Sequence, residues 1–538
     1  MSMRVRFVAI IVALLLLVGV ILAAVLFSLS PQFGHQQMAT STNAIVLENA
    51  HPGTTSWKIP KGKAASTQIQ AYASATSVLP GQTLTFYVST QKEGTPYSVA
   101  IYRLGWYRGA GGRLMISQAK QISFAQGYYN LSTHQLVDCI FCHVDKQTGL
   151  VEANWLPSYK LTIPYDWTTG IYLAKFTDVH GMQTYVPFDM KGNFPSRYIA
   201  VTSDTTYAAY NEWGGYSLYV AHGSLGIGDL GFGVKVSFDR PYSQDYGSGY
   251  VLRFEADAIY WLERQGYDLS YMSSVDLHED PVQLLQHHAY LSLGHDEYWT
   301  KEMRDGVEYA RNHGVGLAFL AANDAYWQIR FEPGSAGAPN RTIVCYKVNS
   351  SGKDLARDPV YGKDNTRVTT KWRDPLLARP ENALIGIMYS SLTHRQQGFP
   401  WQISPVAKSS LLDGTGLKPG QEYGCGLVGY EWDHVFSNGV TPQNLQVIAA
   451  SHVVDNWNGL DISNTTYYIA PSGAMVFATG SIFWTTSLDS YRLYSDPLCA
   501  NQNPVVPAMQ KLMAKIMDAL ATPHPSHQLT ITSTIHAI

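Results

Sequence analysis

Three short polar clusters, each following an apolar run, hold the side chains best suited to chemistry. The first is His295, Asp296, Glu297 and Tyr298, placed directly after residues 290–293 and Gly294. The second is Asp204, Tyr207, Tyr210 and Asn211, after residues 198–202, and the third is Asn323, Asp324 and Tyr326, after residues 315–320. Imidazole, carboxylate and phenol groups serve as general acids and bases and as hard donors. Three such strand ends meeting in one place would hold a hard or borderline cation and an activated water. Neither Cys nor Ser stands in the turn after Leu293, which disfavours an activated thiol or serine nucleophile there. The expected catalytic residues are therefore His295, Asp296, Glu297, Asp204 and Asn323. Several of them also have structural roles open to them, since Asp296 or Glu297 just ahead of a helix would serve as an N-terminal anion. Tyr298 gains little as a cap, which favours a chemical role for it.

Positioning these clusters requires buried strands that end together. Residues 290–293 and 315–320 are apolar runs of strand length. Between them Trp299, Met303, Val307 and Ala310 recur at helical spacing, and Gly314 stands where a helix C-cap takes positive φ. Strand, helix and strand in that order predict a βαβ unit, with both polar clusters at the carboxyl ends of parallel strands, where open α/β sheets bind ligands. Residues 198–202, 267–272 and 474–480 add further strands, and Met509, Leu512, Met513, Ile516, Met517 and Leu520 trace one face of a final helix. The expected fold class over 195–522 is α/β, a doubly wound, mostly parallel sheet, with an irregular insertion at about 333–433. Residues 63–192 read instead as short alternating strands between turns. The Gly170-x-Tyr172 corner there resembles the late strands of an immunoglobulin-like β-sandwich. No P-loop or GxGxxG occurs in strand-turn-helix context, so no nucleotide is expected.

With 538 residues, 46% hydrophobic and 15% charged, the chain is long and apolar enough for two or three folded domains. A formal charge of -3, with no run of Lys or Arg beyond the extreme N-terminus, argues against nucleic acid as a partner. Arg4 and Arg6 precede residues 7–29, an uncharged segment of about the ~20 apolar residues that span a bilayer. That run exceeds a signal-peptide core, and no small-x-small cleavage site follows before Pro31. A single-pass signal anchor is expected, with residues 1–6 cytoplasmic, 30–62 a flexible linker and the bulk of the chain extracytoplasmic at the cell membrane. Secretion after cleavage is the alternative. Residues 523–538 read as a frayed tail. The Cys139-x-x-Cys142 pair, near His134 and His143, suits a local disulfide or structural thiols better than a zinc site, because a second CxxC is missing.

Six motifs then recur in order: VKVSFDRPY (234–242), WLERQGYDLSY (261–271), LGHDEYW (293–299), LAANDAYWQIRFE (320–332), LVGYEWD (427–433) and VFATGSIFW (476–484). Together they resemble the large-subunit family of N,N-dimethylformamidase over most of residues 195–520. The resemblance implies a fold similar to class I glutamine amidotransferases. It also implies a mononuclear iron held by two tyrosines and a glutamate in an amide-hydrolysing enzyme. Tyr298 would match one of those tyrosines. Tyr210 and Glu332 are candidates for the other ligands, and Tyr260 and Glu381 remain open. With such ligands the iron would be ferric and act as a Lewis acid or lower the pKa of bound water.

The expected function is that of a membrane-anchored hydrolase, metal-assisted, acting on an amide-type C–N bond of a small molecule, as a homo-oligomer or with a small partner subunit. The alternative is a non-catalytic surface protein that binds glycans through aromatics such as Trp106, Trp213 or Trp401.

Overall fold

Asn43 accepts the amide protons of Ile45 and Val46 through its side chain and so starts helix α1 (Ala44–Asn49). Its Ile45, like Trp57 beyond it, is fully buried, and Asn49 donates to Glu263 at 2.8 Å. These residues fall within the stretch read as a flexible linker. The linker reading is therefore corrected from residue 43 onward, where two apolar anchors in a polar stretch dock the chain. The computed structural model describes residues 43–192, 195–226, 230–351, 354–394, 397–489 and 505–522.

A β-sandwich follows. Strands Ile69–Ala73, Thr83–Thr90 and Tyr159–Thr162 form one sheet; Ser77–Val78, Pro96–Leu104, Gly112–Ile122, Gly170–Asp178 and Gln183–Met190 form the other. Alternate residues of both, including Phe86, Val88, Val99, Phe176 and Phe188, share one core. Tyr172 donates back to the carbonyl of Thr168 at 2.6 Å, the hydrogen bond that such a corner makes.

The second half is organised on seven strands: β1 (Tyr198–Thr202), β2 (Leu269–Ser273), β3 (Ala289–Ser292), β4 (Gly316–Phe319), β5 (Gln446–Val454), β6 (Leu460–Ile469) and β7 (Met475–Ala478). Their spatial order is β2-β1-β3-β4-β7-β6-β5. The β2-β1, β1-β3, β3-β4 and β4-β7 pairs are parallel, while β7-β6 and β6-β5 are antiparallel. Helix α2 (Asp204–Tyr210) leaves β1, α3 (Ala256–Gln265) precedes β2, α4 (Lys301–Asn312) joins β3 to β4, and α5 (Pro507–Leu520) lays its Met/Leu face on the core.

This architecture corrects the expected doubly wound, mostly parallel α/β domain and, with it, the amidotransferase-like fold. The described chain consists mostly of short strands spread over eight sheets, most of their pairings antiparallel, and helices do not alternate regularly with strands. Between β4 and β7 the chain forms further small antiparallel sheets, not crossover helices. Short buried apolar runs look alike whether they join a parallel or a mixed sheet, which is why periodicity alone misled. The expected single-pass anchor finds no support in the structure: among the described residues no helix is long and apolar enough to cross a membrane. The segment 7–29 and the tail 523–538 lie outside the described residues.

Sandwich and sheet meet over a buried acidic pair. The Thr202 hydroxyl lies 2.6 Å from Oδ2 of Asp189, on the sandwich, and 2.7 Å from Oδ2 of Asp204, at the start of α2. One hydroxyl carries one proton, so a carboxyl must supply another for both contacts to be hydrogen bonds. Burial pushes Asp204 up to about 7. Asp189 is also raised well above the usual range, by burial and then by the Asp204 charge. A carboxyl whose folded pKa is raised binds more protons folded than unfolded, so stability falls as pH rises from the ordinary carboxylate range toward 7. The unfolding midpoint is expected to drop between about pH 5 and about pH 8, and Asp204→Asn to flatten that drop; a titration of thermal midpoints with the two proteins side by side checks it.

Candidate functional site

Strand β3 ends in a turn at Gly294, whose φ of 63° suits glycine and whose missing Cβ leaves room for Glu255; a Cβ would come within 2.8 Å of Glu255 Cγ. The chain then presents His295, Asp296 and Glu297, all nearly fully buried. Glu297 is fixed through its backbone. Its amide donates to Thr206 Oγ1 at 3.0 Å, and its carbonyl accepts from Tyr326 and Trp327.

Two phenols converge on this carboxylate from one segment. Tyr210, at the end of α2, donates to Glu297 Oε2 at 2.7 Å, and Tyr219, nine positions on, donates to Oε1 at 2.6 Å. Their rings stack at 4.1 Å, and the Lys347 ammonium lies 3.6 Å from the Tyr219 ring centroid. On the other side His295 Nε2 is 3.4 Å from Glu297 Oε2, 3.4 Å from the Tyr210 hydroxyl and 3.6 Å from Glu431 Oε2. Asn323, held at a φ of 58°, donates from Nδ2 to Glu431 at 2.9 Å and from its amide to Asp433 at 2.8 Å.

The protonation states follow from this arrangement. Burial alone would lower the His295 pKa, but Glu431 and Glu297 outweigh it and lift it to about 8. Burial opposes ionisation of Glu297, yet His295, Lys347 and Tyr219 together hold it below the ordinary carboxylate range. The Tyr210 and Tyr219 phenols are pushed well up by burial and by the Glu297 charge. Burial also raises Asp296 to about 6, with Ser292 donating to its Oδ2 at 2.6 Å. Near neutrality the cluster thus consists of an imidazolium, a carboxylate and two protonated phenols.

Of the expected residues, the structure brings together His295, Glu297, Tyr210 and Asn323. Asp296 stands beside them but turns its side chain toward Ser292. Asp204 is at the sandwich seam, bound to Thr202. Glu332, expected as a metal ligand, is engaged elsewhere: its side chain is 40% exposed and pairs with Lys235 at 2.5 Å. Tyr298, expected as a metal ligand, is not one of the two phenols that donate to Glu297. Its ring is fully buried among apolar residues and edge-on to Tyr210 and Tyr219, with its hydroxyl close to that of Tyr219. Tyr260 donates to the carbonyl of Gly111 and Glu381 pairs with Arg373, so neither belongs to the site. Tyr219, Glu431 and Lys347 are site residues that sequence reasoning missed. Glu431 lies inside the LVGYEWD motif, and a Tyr nine positions after Tyr210 was the available signal for the third donor.

Among the described residues no group of three or more His, Cys, Asp and Glu side chains is placed to hold a metal ion. A cation here would draw on the phenols. Two phenols and one carboxylate sharing hydrogen bonds form a compact set of hard oxygen donors, and a cation replacing the two phenolic protons would fit that chemistry.

A family profile described as "N,N-dimethylformamidase beta subunit-like, C-terminal" matches residues 98–500. The chain belongs to that family. The N,N-dimethylformamidase beta subunit of Paracoccus aminophilus is 24% identical over 427 residues, 65% of this chain and 54% of that protein. The beta subunit from Alcaligenes sp. is 22% identical over 426 residues, with the same coverage of 65% and 54%. The chain therefore spans about half the length of the curated relatives it matches. The solved structure of trypsin-activated alpha-2-macroglobulin from Escherichia coli is 12% identical over 28% of this chain and 8% of its own, at a TM-score of 0.15, which carries no argument.

Proposed function

We propose that this chain carries the active site of a hydrolase that cleaves the C–N bond of a small amide, with a hard metal ion held by Tyr210, Tyr219 and Glu297. The observation behind this reading is the convergence of two phenols on the two oxygens of one buried carboxylate. Family membership supports an amide as substrate, and the motif resemblance supports iron as the ion. When bound, the ion supplies Lewis acidity toward an amide carbonyl. The remaining work falls to this chain's side chains. His295, protonated near neutrality, offers its Nε2 proton to negative charge that grows in the site. Glu431, steadied by Asn323, is near enough to take up or return that proton. The Phe254 ring, 6.3 Å from both His295 and Tyr430, gives the cluster an apolar neighbour that suits an uncharged substrate. Both curated relatives are beta subunits, so a partner chain belongs to this reading.

Elemental analysis of the purified chain is expected to find stoichiometric metal, with a visible phenolate-to-iron band if the ion is ferric. Tyr219→Phe is expected to lose both metal and band, because it removes one of three donors, and Tyr298→Phe to keep both. Metal-free wild-type protein, or Tyr219→Phe with its metal intact, would remove the reading. The glycan-binding alternative has lost its surface at Trp213 and Trp401, which are 2% and 1% exposed.

A further inference from the structure

Residues 211–218 leave the end of α2 after Tyr210 and return the chain at Tyr219. That segment is the covalent link between the two phenols that meet Glu297. One side chain grips most of it. Arg240, 1% exposed, donates from Nη1 to the carbonyls of Trp213 at 2.6 Å and Tyr216 at 2.9 Å, and from Nη2 to that of Asn211 at 2.8 Å. The groups that act on its charge are the phenols of Tyr242 and Tyr129; no carboxylate is among them, and burial draws the guanidinium down to about 9. A buried cation without an acidic partner costs several kcal/mol in general, so among the described residues the three backbone carbonyls it binds are its main compensation. The residues around Arg240 tie the same segment again. Asn211 donates to the Pro241 carbonyl at 2.9 Å, and its Oδ1 accepts from the amides of Trp213 and Ser243.

We propose that Arg240 is a positioning residue of the candidate metal centre: by fixing the carbonyls of Asn211, Trp213 and Tyr216 it sets the separation of the Tyr210 and Tyr219 hydroxyls. Its planar fork reaches three acceptors at fixed angles, which a lysine ammonium cannot reproduce. This inference rests on the reading of those two phenols as ligands. Arg240 touches neither the ion nor the substrate, and acts only through the segment it holds.

The test compares full-length wild type with Arg240→Met, which keeps much of the length and removes every donor, and Arg240→Lys, which keeps the charge and loses the fork. Metal content, the position of the phenolate-to-iron band and the thermal midpoint are read on each, well below that midpoint. Metal binding is expected to weaken at least about 10-fold in Arg240→Met, the lower end of what losing an outer-shell partner costs, with the band shifted. Arg240→Lys is expected to fall between, also with a shifted band. A role in stability alone would lower the thermal midpoint and leave band and stoichiometry untouched in both variants; that result overturns the inference. Should Arg240→Met not fold, Arg240→Lys decides by itself, an unchanged band overturning the proposal. Wild-type protein without metal would sink the metal reading and the inference with it, whereas metal-replete wild type with indifferent variants would sink the inference alone.

Discussion

Glu297→Gln is expected to abolish metal binding and amide hydrolysis together, by at least about 100-fold, since loss of a mere outer-shell partner already costs up to that much. The substitution keeps the shape and removes the charge. It also places an amide NH2 where one carboxylate oxygen accepts from Tyr210 at 2.7 Å or from Tyr219 at 2.6 Å, so two donors would face each other in a buried place. His295 would lose one of the two acids that lift its pKa, leaving burial to lower it against Glu431 alone. The imidazole should then be neutral at pH values where the wild type is protonated. Metal analysis, kcat/KM on a small N-substituted amide and an NMR titration of His295 read the three consequences separately. Full metal occupancy in Glu297→Gln would show that the carboxylate is not a ligand.

Glu263→Ala should cause the largest loss of stability. Glu263 and Arg103 are both fully buried and pair through two parallel bonds, Nη1 to Oε2 at 3.0 Å and Nη2 to Oε1 at 2.8 Å. Arg103 lies on the sandwich strand Pro96–Leu104 and Glu263 on α3, so the pair joins the two halves of the molecule. Asn49 and Tyr271 donate to the remaining lone pairs at 2.8 and 2.9 Å. Removing the carboxylate leaves a buried guanidinium without its partner and two further donors, from Asn49 and Tyr271, without their acceptor, which costs about 3–5 kcal/mol. In denaturant titrations the midpoint is expected to fall with little change in slope. Converting both members to apolar residues should recover much of the loss, because the pair's desolvation is then relieved as well. A loss in Glu263→Ala below about 1 kcal/mol, the range of exposed pairs, would contradict the geometry. Metal content below the transition should not change, which separates this variant from Glu297→Gln.

Local signals carried far in this chain. The short apolar runs at 198–202, 289–292 and 316–319 are strands, the spacing of Met303, Val307 and Ala310 is a buried helix face, and Gly314 follows the helix that they mark. Cys139 and Cys142 form a disulfide, as a pair three residues apart can without help from distant chain. The sheet's composition was not legible in the same way. Whether β7 pairs beside β4 depends on contacts between residues more than a hundred positions apart, such as Leu317 and Val476. The stretch from 43 to 59 shows the same limit, since Ile45 and Trp57 look incidental until the surface that buries them exists.

Sequence by itself determined which residue types stand at the strand ends, and so that imidazole, carboxylate and phenol chemistry would gather there; it also carried the family motifs. Only the tertiary structure decided which phenols meet Glu297. Tyr298 adjoins Glu297 in sequence, but in an extended segment successive side chains point to opposite faces, and its ring is turned into an apolar cluster. Tyr219 arrives through a loop whose course is held by long-range hydrogen bonds to Arg240, and Glu431 reaches His295 across more than a hundred residues of chain. Residue type and local periodicity are properties of neighbours along the chain, whereas a site with donors from several segments is a property of how distant segments pack.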